Sequence, residues 1–314
     1  MTIAPDHRVR ESAPETPRMT RAQAIAMLFT GACLIGFAPI GLRLSEVGPQ
    51  PTAFWRFLIA LPFLALLAQR FDGGIRAGLA FKPVIWITGI AFGVDIALWH
   101  ASLKLTNVAN ATLLSNLTPI VVGVLGYIAF RERPAKATIW GGILGLTGAA
   151  CLAGASFSDA PQRLAGDGLA AFAAIWYGIY LLGARRARDD AGPFQVSLWI
   201  TIWAALVVGL AGLVRHEAFW PATTHGWLVL AGLGILVHVC GQGSIVLALG
   251  KVPASLVAVL ILLQPVVASL LAWWLFGERM VGLDWLGAIL VLAGAYWAQR
   301  EPPERNETPS RPRD

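Results

Sequence analysis

Ten mostly apolar stretches, each about 17–25 residues long and separated by short charged clusters, constrain this chain more than any other feature. A helix of that length spans roughly 30 Å of hydrocarbon. The stretches fall at about 22–42, 52–69, 83–103, 107–130, 136–155, 167–184, 194–214, 226–249, 253–276 and 283–299. Their apolar character is continuous and not alternating, so helices, rather than a closed barrel, are expected to satisfy the backbone in lipid. Composition agrees: 13% of the 314 residues are charged and 56% are hydrophobic, too little charge to cover a soluble domain of this size. The expected fold class is an all-α integral membrane protein with ten transmembrane helices. The polar segments 1–21 and 300–314 read as disordered tails.

The net charge of +6 is placed in a way that sets orientation. With an even span count and both tails on one side, 18 Lys/Arg lie in the tails and loops of that side. Five lie opposite: Arg43, Lys104, Arg163, Arg215 and Arg279. The positive-inside rule then puts both termini in the cytoplasm, and the basic excess belongs to cytoplasmic loops and not to a nucleic-acid face. The three cysteines, Cys33, Cys151 and Cys240, lie within apolar runs, an odd number that argues against a disulfide framework. They have no metal-ligand spacing.

The chain also resembles itself. A shift of 146 residues puts Pro119 on Pro265, Phe130 on Phe276, Glu132-Arg133 on Glu278-Arg279, Gly141 on Gly287 and Gly148-Ala149 on Gly294-Ala295. Over 119–149 there are 12 identities in 31 positions without a gap. A weaker match at an offset of 144 aligns Gly48-Pro49 and Trp55 with Gly192-Pro193 and Trp199. The halves, 22–155 and 156–299, each hold five spans. An odd number requires them to insert with opposite orientation, the inverted repeat of many secondary transporters, whose substrate site lies near the membrane midplane where the repeats meet.

Several short motifs in this order resemble the EamA-type branch of the drug/metabolite transporter superfamily. They are Phe54-Trp55-Arg56-Phe57, Ala111-Thr112-Leu113-Leu114, Leu117-Thr118-Pro119 and Phe130-Arg131-Glu132-Arg133 in the first half. The second half has Gly166-Asp167, Gln264-Pro265 and Phe276-Gly277-Glu278-Arg279. The resemblance covers about residues 22–299. It implies a bacterial inner-membrane exporter of amino acids, other metabolites, dyes or drugs, with a central cavity lined mainly by spans 1, 3, 4, 6, 8 and 9.

Ionisable groups inside spans are costly and are the first functional candidates. Asp95 sits near the middle of span 3, where a carboxylate suits proton coupling or a substrate ammonium. The structural alternative is a salt bridge with Arg56, about a turn different in depth on span 2. Arg56 could instead hold a substrate carboxylate. His238 lies near the middle of span 8, as a proton relay, a ligand contact or a satisfied core histidine. His100 reads as an interfacial histidine. Asn116, Thr118 and Pro119 in span 4 and Gln264 and Pro265 in span 9 form a symmetric pair. Each proline removes a backbone donor and frees a carbonyl, either as a cavity-lining hinge or as a packing kink. Gln242 and Asn110 are further polar candidates. Trp99, four residues after Asp95, and Trp176, Tyr177 and Tyr180 offer aromatic walls suited to an amphipathic or cationic solute. Gly141, Gly142, Gly145, Gly148, Gly287 and Gly294 allow close helix approach, for scaffold packing or for a homodimer face.

No Gly-x-x-x-x-Gly-Lys-Ser/Thr loop is present, so this chain does not hydrolyse ATP by that route, and no His-Glu-x-x-His site is present. No cofactor is expected. The reading is a secondary active exporter of small organic metabolites, amino acids or related amphipathic solutes. The alternatives are an intramembrane enzyme and a non-transporting membrane scaffold.

Overall fold

The computed structural model describes residues 19–106, 111, 114–131, 133–154, 164–277, 280 and 282–300, and every regular element among them is helical. The first apolar stretch holds α1 (Arg21–Ile35) and α2 (Ala38–Leu44). Then come α3 (Pro49–Phe71), a short 3-10 turn at Ala77–Phe81, α4 (Pro83–Leu105), α5 (Thr118–Phe130) and α6 (Lys136–Gly154). The second half holds α7 (Leu164–Ala187), α8 (Pro193–Val214) and α9 (Thr224–Gly232). The chain continues without interruption through a π-helical segment, Leu233–Gln242, into α10 (Gly243–Leu249). It closes with α11 (Ala254–Leu260), α12 (Leu263–Phe276) and α13 (Gly282–Ala298). Seven helical stretches are long and apolar enough to cross a membrane: 21–44, 49–71, 83–105, 164–187, 193–214, 224–249 and 254–276. Three shorter apolar helices, Thr118–Ala129, Lys136–Leu152 and Gly282–Ala298, lie in the other three expected spans. The Glu132 and Glu278-Arg279 parts of the sequence repeat, Arg163 and Asn110 fall outside the described residues.

Helix starts follow local chemistry. Thr20 and Gln23 form a reciprocal capping box at the head of α1, and proline stands in the first turn of α3, α4 and α8, where its missing N–H costs nothing. Both mid-span prolines sit just inside a fresh helix and not within a bend. The chain tightens into i→i+3 bonds before each, Leu117 N–H to the Leu114 carbonyl and Gln264 N–H to the Ile261 carbonyl, and α5 and α12 restart there. The ends of these two helices match as well. Arg131 (φ 57°) and Gly277 (φ 65°), 146 residues apart, are their left-handed C-caps.

Packing follows the sequence repeat. Helix α6 packs on α13 and α3 on α8, each pair mapping onto itself when the halves are exchanged. The remaining major contacts come as mates. Helix α4 packs on α7 as α1 packs on the π segment and α10. Helix α4 packs on α8 as α3 packs on the π segment, and α5 on α7 as α1 on α12. The α6–α13 contact is built on glycine. A Cβ on Gly148 would stand 2.6 Å from the Gly287 carbonyl oxygen, and one on Gly287 would stand 2.6 Å from that of Gly148. Gly141 and Gly294 oppose each other in the same way at 2.5 Å. The repeat that aligns Gly141 with Gly287 therefore packs it against Gly294, the crossing expected of two helices related by a two-fold axis. These glycines serve packing within one chain.

Acidic residues join the halves at both ends of the bundle. Glu217, just beyond α8, accepts the Gln50 N–H at the head of α3 (2.8 Å) and pairs with Arg215 (3.2 Å) and Lys104 (3.4 Å). At the other end Asp72, just beyond α3, accepts the Gln195 N–H at the head of α8 (2.8 Å). Each helix of this pair thus carries its partner's N-terminal cap, where the helix dipole favours a carboxylate. Glu46 caps α9 likewise through Ala222 N–H, Thr223 N–H and the Thr223 hydroxyl. Glu217→Ala is expected to cost about 1–2 kcal/mol, the range for a lost N-cap. It would be read as a lower unfolding midpoint in detergent, with Asp72→Ala giving a similar fall.

The caps also differ in titration. Burial pushes the Asp72 carboxyl above its ordinary value, against the Gln195 and Phe194 N–H donors that lower it, while hydrogen bonds from Thr223 hold Glu46 below its own. Deprotonating Asp72 therefore costs folding stability as pH rises from the ordinary carboxylate range. The Glu46 cap contributes above that range and is lost as pH falls through its lowered value. In an infrared titration, the carboxyl band removed by Asp72→Asn is expected to appear at a higher pH than the one removed by Glu46→Gln.

Candidate functional site

Polar side chains buried in the bundle concentrate where α3, α4, α7, α8 and the π segment meet. Arg56 on α3 and Asp95 on α4 are each 6% exposed, and His238 and Gln242 on the π segment are 2% and 5% exposed. The π segment replaces i→i+4 bonding by a wider turn, a distortion frequent at functional sites, and it carries both polar residues of its stretch. His238 Nε2 shares a 2.8 Å hydrogen bond with the Thr201 hydroxyl of α8. The Gln242 amide nitrogen donates to the Tyr180 hydroxyl of α7 at 2.7 Å. Both bonds cross between helices. His238 Nδ1, the Ser197 hydroxyl and Arg56 Nε are buried without a hydrogen-bond partner among the described residues.

An aromatic stack closes one wall. Phe92 of α4 lies 4.4 Å from Tyr180, centroid to centroid and nearly parallel. Phe57 of α3 lies 5.4 Å from Phe92 and 4.8 Å from His238, and Tyr177 stacks on Tyr180 at 5.5 Å. Beside this stack runs a narrow cavity lined by Leu64, Phe92, Tyr180, Ser197, Ile200, Thr201, His238, Gln242, Gly243 and Val246. Spans 2 and 7 thus contribute through Leu64 and through Ser197, Ile200 and Thr201. Spans 1, 4 and 9, which the family resemblance implies as lining, supply none of these side chains.

Arg56 lies within electrostatic range of Asp95, Tyr177, Tyr180, His100 and His238, which makes its guanidinium the hub of the cluster. It makes no ion pair with Asp95 within 4.0 Å, so the salt bridge weighed for the pair is not formed here. His100 is buried and not solvated: it is 5% exposed, lies against the Pro49 backbone and has Trp99 beside it at 5.2 Å.

Of the residues singled out from sequence, Arg56, Asp95, Tyr177, Tyr180, His238 and Gln242 come together, and of these Tyr180, His238 and Gln242 line the cavity. The proline-linked group supplies none of its lining. Asn116 and Thr118 are buried at the head of α5, where the Thr118 hydroxyl donates to the Ser115 carbonyl (2.9 Å), and Gln264 and Pro265 stand in the first turn of α12. Trp176 is half-buried, with Phe172 edge-on at 6.0 Å. Sequence reading missed Phe57, Phe92, Ser197 and Thr201. The two phenylalanines carry no signal in an apolar span. The Ser197 and Thr201 hydroxyls, four residues apart on α8, were legible as a polar stripe.

The chain that carries this arrangement belongs to a known class of membrane protein. Residues 22–154 and 164–299 each match the EamA-like transporter family, and the chain belongs to that family of membrane transporters. It is 27% identical over 227 residues to the aromatic amino acid exporter YddG of Ancylobacter novellus, covering 69% of this chain and 76% of that one. It is 26% identical over 269 residues to a riboflavin transporter of Rhizobium johnstonii, covering 82% and 83%. A solved crystal structure superposes with a TM-score of 0.77 at 23% identity, over 89% of this chain and 98% of that one, a likeness of fold.

Proposed function

We propose that this protein is a secondary active transporter that exports small organic metabolites, amino acids or related amphipathic solutes, by alternating access. The observation that carries the reading is the buried polar cluster of Arg56, Asp95, His238 and Gln242 placed where the two halves pack on each other. Buried polar groups in a lipid-embedded bundle are expensive, and they gather here against an aromatic wall fit for an organic solute. Seven long apolar helices, with three shorter ones in the remaining apolar stretches, support a reading of ten spans in two five-span halves inverted relative to each other. The charge asymmetry of the loops supports an orientation with both termini in the cytoplasm, and the family resemblance supports the bacterial inner membrane. The exchange-symmetric packing supports the mechanism, because a rocking motion that opens one face maps onto the motion that opens the other.

Counterflow in proteoliposomes tests this reading. Vesicles preloaded with an unlabelled amino acid are expected to accumulate the labelled one above equilibrium. No flux of any amino acid, sugar, nucleoside or cationic dye through folded protein would overturn it. Within the site, Tyr180→Phe removes the acceptor of the Gln242 hydrogen bond and leaves the Phe92 stack in place. It is expected to lower apparent substrate affinity by about tenfold, or ~1.4 kcal/mol, and to lower the unfolding midpoint as well, because the buried Gln242 donor left unpaired costs about 1–3 kcal/mol.

A further inference from the structure

Arg56 and Asp95 pose a problem that the fold alone does not solve. Both are 94% buried, their ionised forms are opposite in charge, and they sit on the packed helices α3 and α4 within electrostatic range of one another. Direct pairing would lower the energy of both. Yet they make no ion pair within 4.0 Å, and neither makes a hydrogen bond among the described residues. Keeping two such charges buried and apart is costly unless something else completes them.

The surroundings define what that something is. The Phe57 ring lies 5.9 Å from the Arg56 guanidinium carbon and 5.4 Å from Phe92, and Phe92 is one turn before Asp95 on α4. Tyr180 and Tyr177 continue the stack. Both groups are within electrostatic range of Tyr177 and Tyr180, next to the cavity although not among the side chains that line it. A carboxylate suits the planar donor fork of a guanidinium, an ammonium suits a carboxylate, and an apolar body suits the rings. An anion alone leaves Asp95 without a partner, and a cation alone does the same to Arg56. A zwitterion completes both at once.

We infer that Arg56 and Asp95 are the specificity-determining pair of the transport site, Arg56 reading the carboxylate and Asp95 the ammonium of a zwitterionic amino acid with an apolar or aromatic side chain. The inference rests on the transport reading above. Direct Arg56–Asp95 pairing, absent in this state, would compete with substrate, so the separation of the two groups keeps the site ready for a ligand.

Three probes of one shape test it: phenylalanine, phenethylamine, which lacks the carboxylate, and 3-phenylpropionate, which lacks the ammonium. In proteoliposomes of the full chain, counterflow of phenylalanine is expected to exceed that of either partial probe by at least about tenfold, because a missing charge leaves a buried group unpaired. Arg56→Gln is expected to bring phenylalanine down toward phenethylamine while sparing phenethylamine. Asp95→Asn is expected to bring it down toward phenylpropionate while sparing phenylpropionate. Phenylalanine should also raise the unfolding midpoint of the wild-type protein in detergent, with the partial probes raising it less. This measurement stands whether or not the variants fold. Equal counterflow of all three probes, equal midpoint shifts, or variants that reduce all three by one common factor would overturn the inference. Flux of other solutes without zwitterion preference would overturn it and leave the transport reading standing, whereas no flux of any solute overturns the transport reading itself.

Discussion

Asp95→Asn is expected to abolish transport driven by a pH gradient while leaving the protein folded. The substitution keeps the shape of the side chain and removes its ability to exchange a proton. Because the carboxylate makes no hydrogen bond or ion pair among the described residues, no protein contact is lost with the charge. Folding and unfolding midpoint should therefore be unchanged or slightly improved, since a buried charge has been removed. A structural ion pair would behave oppositely. Breaking one leaves Arg56 uncompensated and costs about 3–5 kcal/mol, which would show as loss of folded protein. The measurement is accumulation of 3-phenylpropionate, whose counterflow the substitution is expected to spare, in proteoliposomes under an imposed pH step, compared with its counterflow at uniform pH. Persistence of pH-driven accumulation in the variant would assign coupling to another group.

Gly148→Leu is expected to be strongly damaging although it lies outside the polar cluster. The obstacle at Gly148 is the Gly287 backbone of α13, 2.6 Å from where a Cβ would stand, and backbone cannot rotate aside as a side chain can. Overpacking of this kind costs about 3 kcal/mol, and here the helices must separate along their length, breaking the neighbouring Gly141–Gly294 contact as well. The expected result is a large fall in monodisperse protein by fluorescence-detected size exclusion. Gly168→Ala is the control, because nothing lies within 4 Å of its Cβ position on α7 and alanine favours the helix by about 1 kcal/mol. Equal yields from the two variants would show that α6 and α13 do not need their close approach.

The spans were legible because lipid demands long apolar runs and excludes most charge, so each interruption marks an end. Gly141, Gly148, Gly287 and Gly294 were legible as packing residues because only glycine permits backbones so close. Which helix they face was not, since an alignment pairs like with like whereas the fold pairs each with its crossed mate. The polar members of the site stood out because polar groups are rare in such spans. Their partners did not. Thr201 reaches His238 from 37 residues away, and Tyr180 reaches Gln242 across 62. The two are joined only where α7, α8 and the π segment converge. The caps at Asp72 and Glu217 were hidden for a related reason: each acid belongs in sequence to the helix it follows, and in space to the one it caps.

The sequence by itself determined a helical membrane protein, its repeat and the set of rare buried charges, because lipid leaves few ways to place a polar group. Only the tertiary structure decided that Arg56 and Asp95 stay apart, that His238 and Gln242 ride on a π segment, and that Phe57, Phe92 and Tyr180 form one wall. In a span where lipid and protein core are equally apolar, no periodicity tells which phenylalanine faces the tails and which faces a charge. That choice is made by the crossing of helices far apart in the chain.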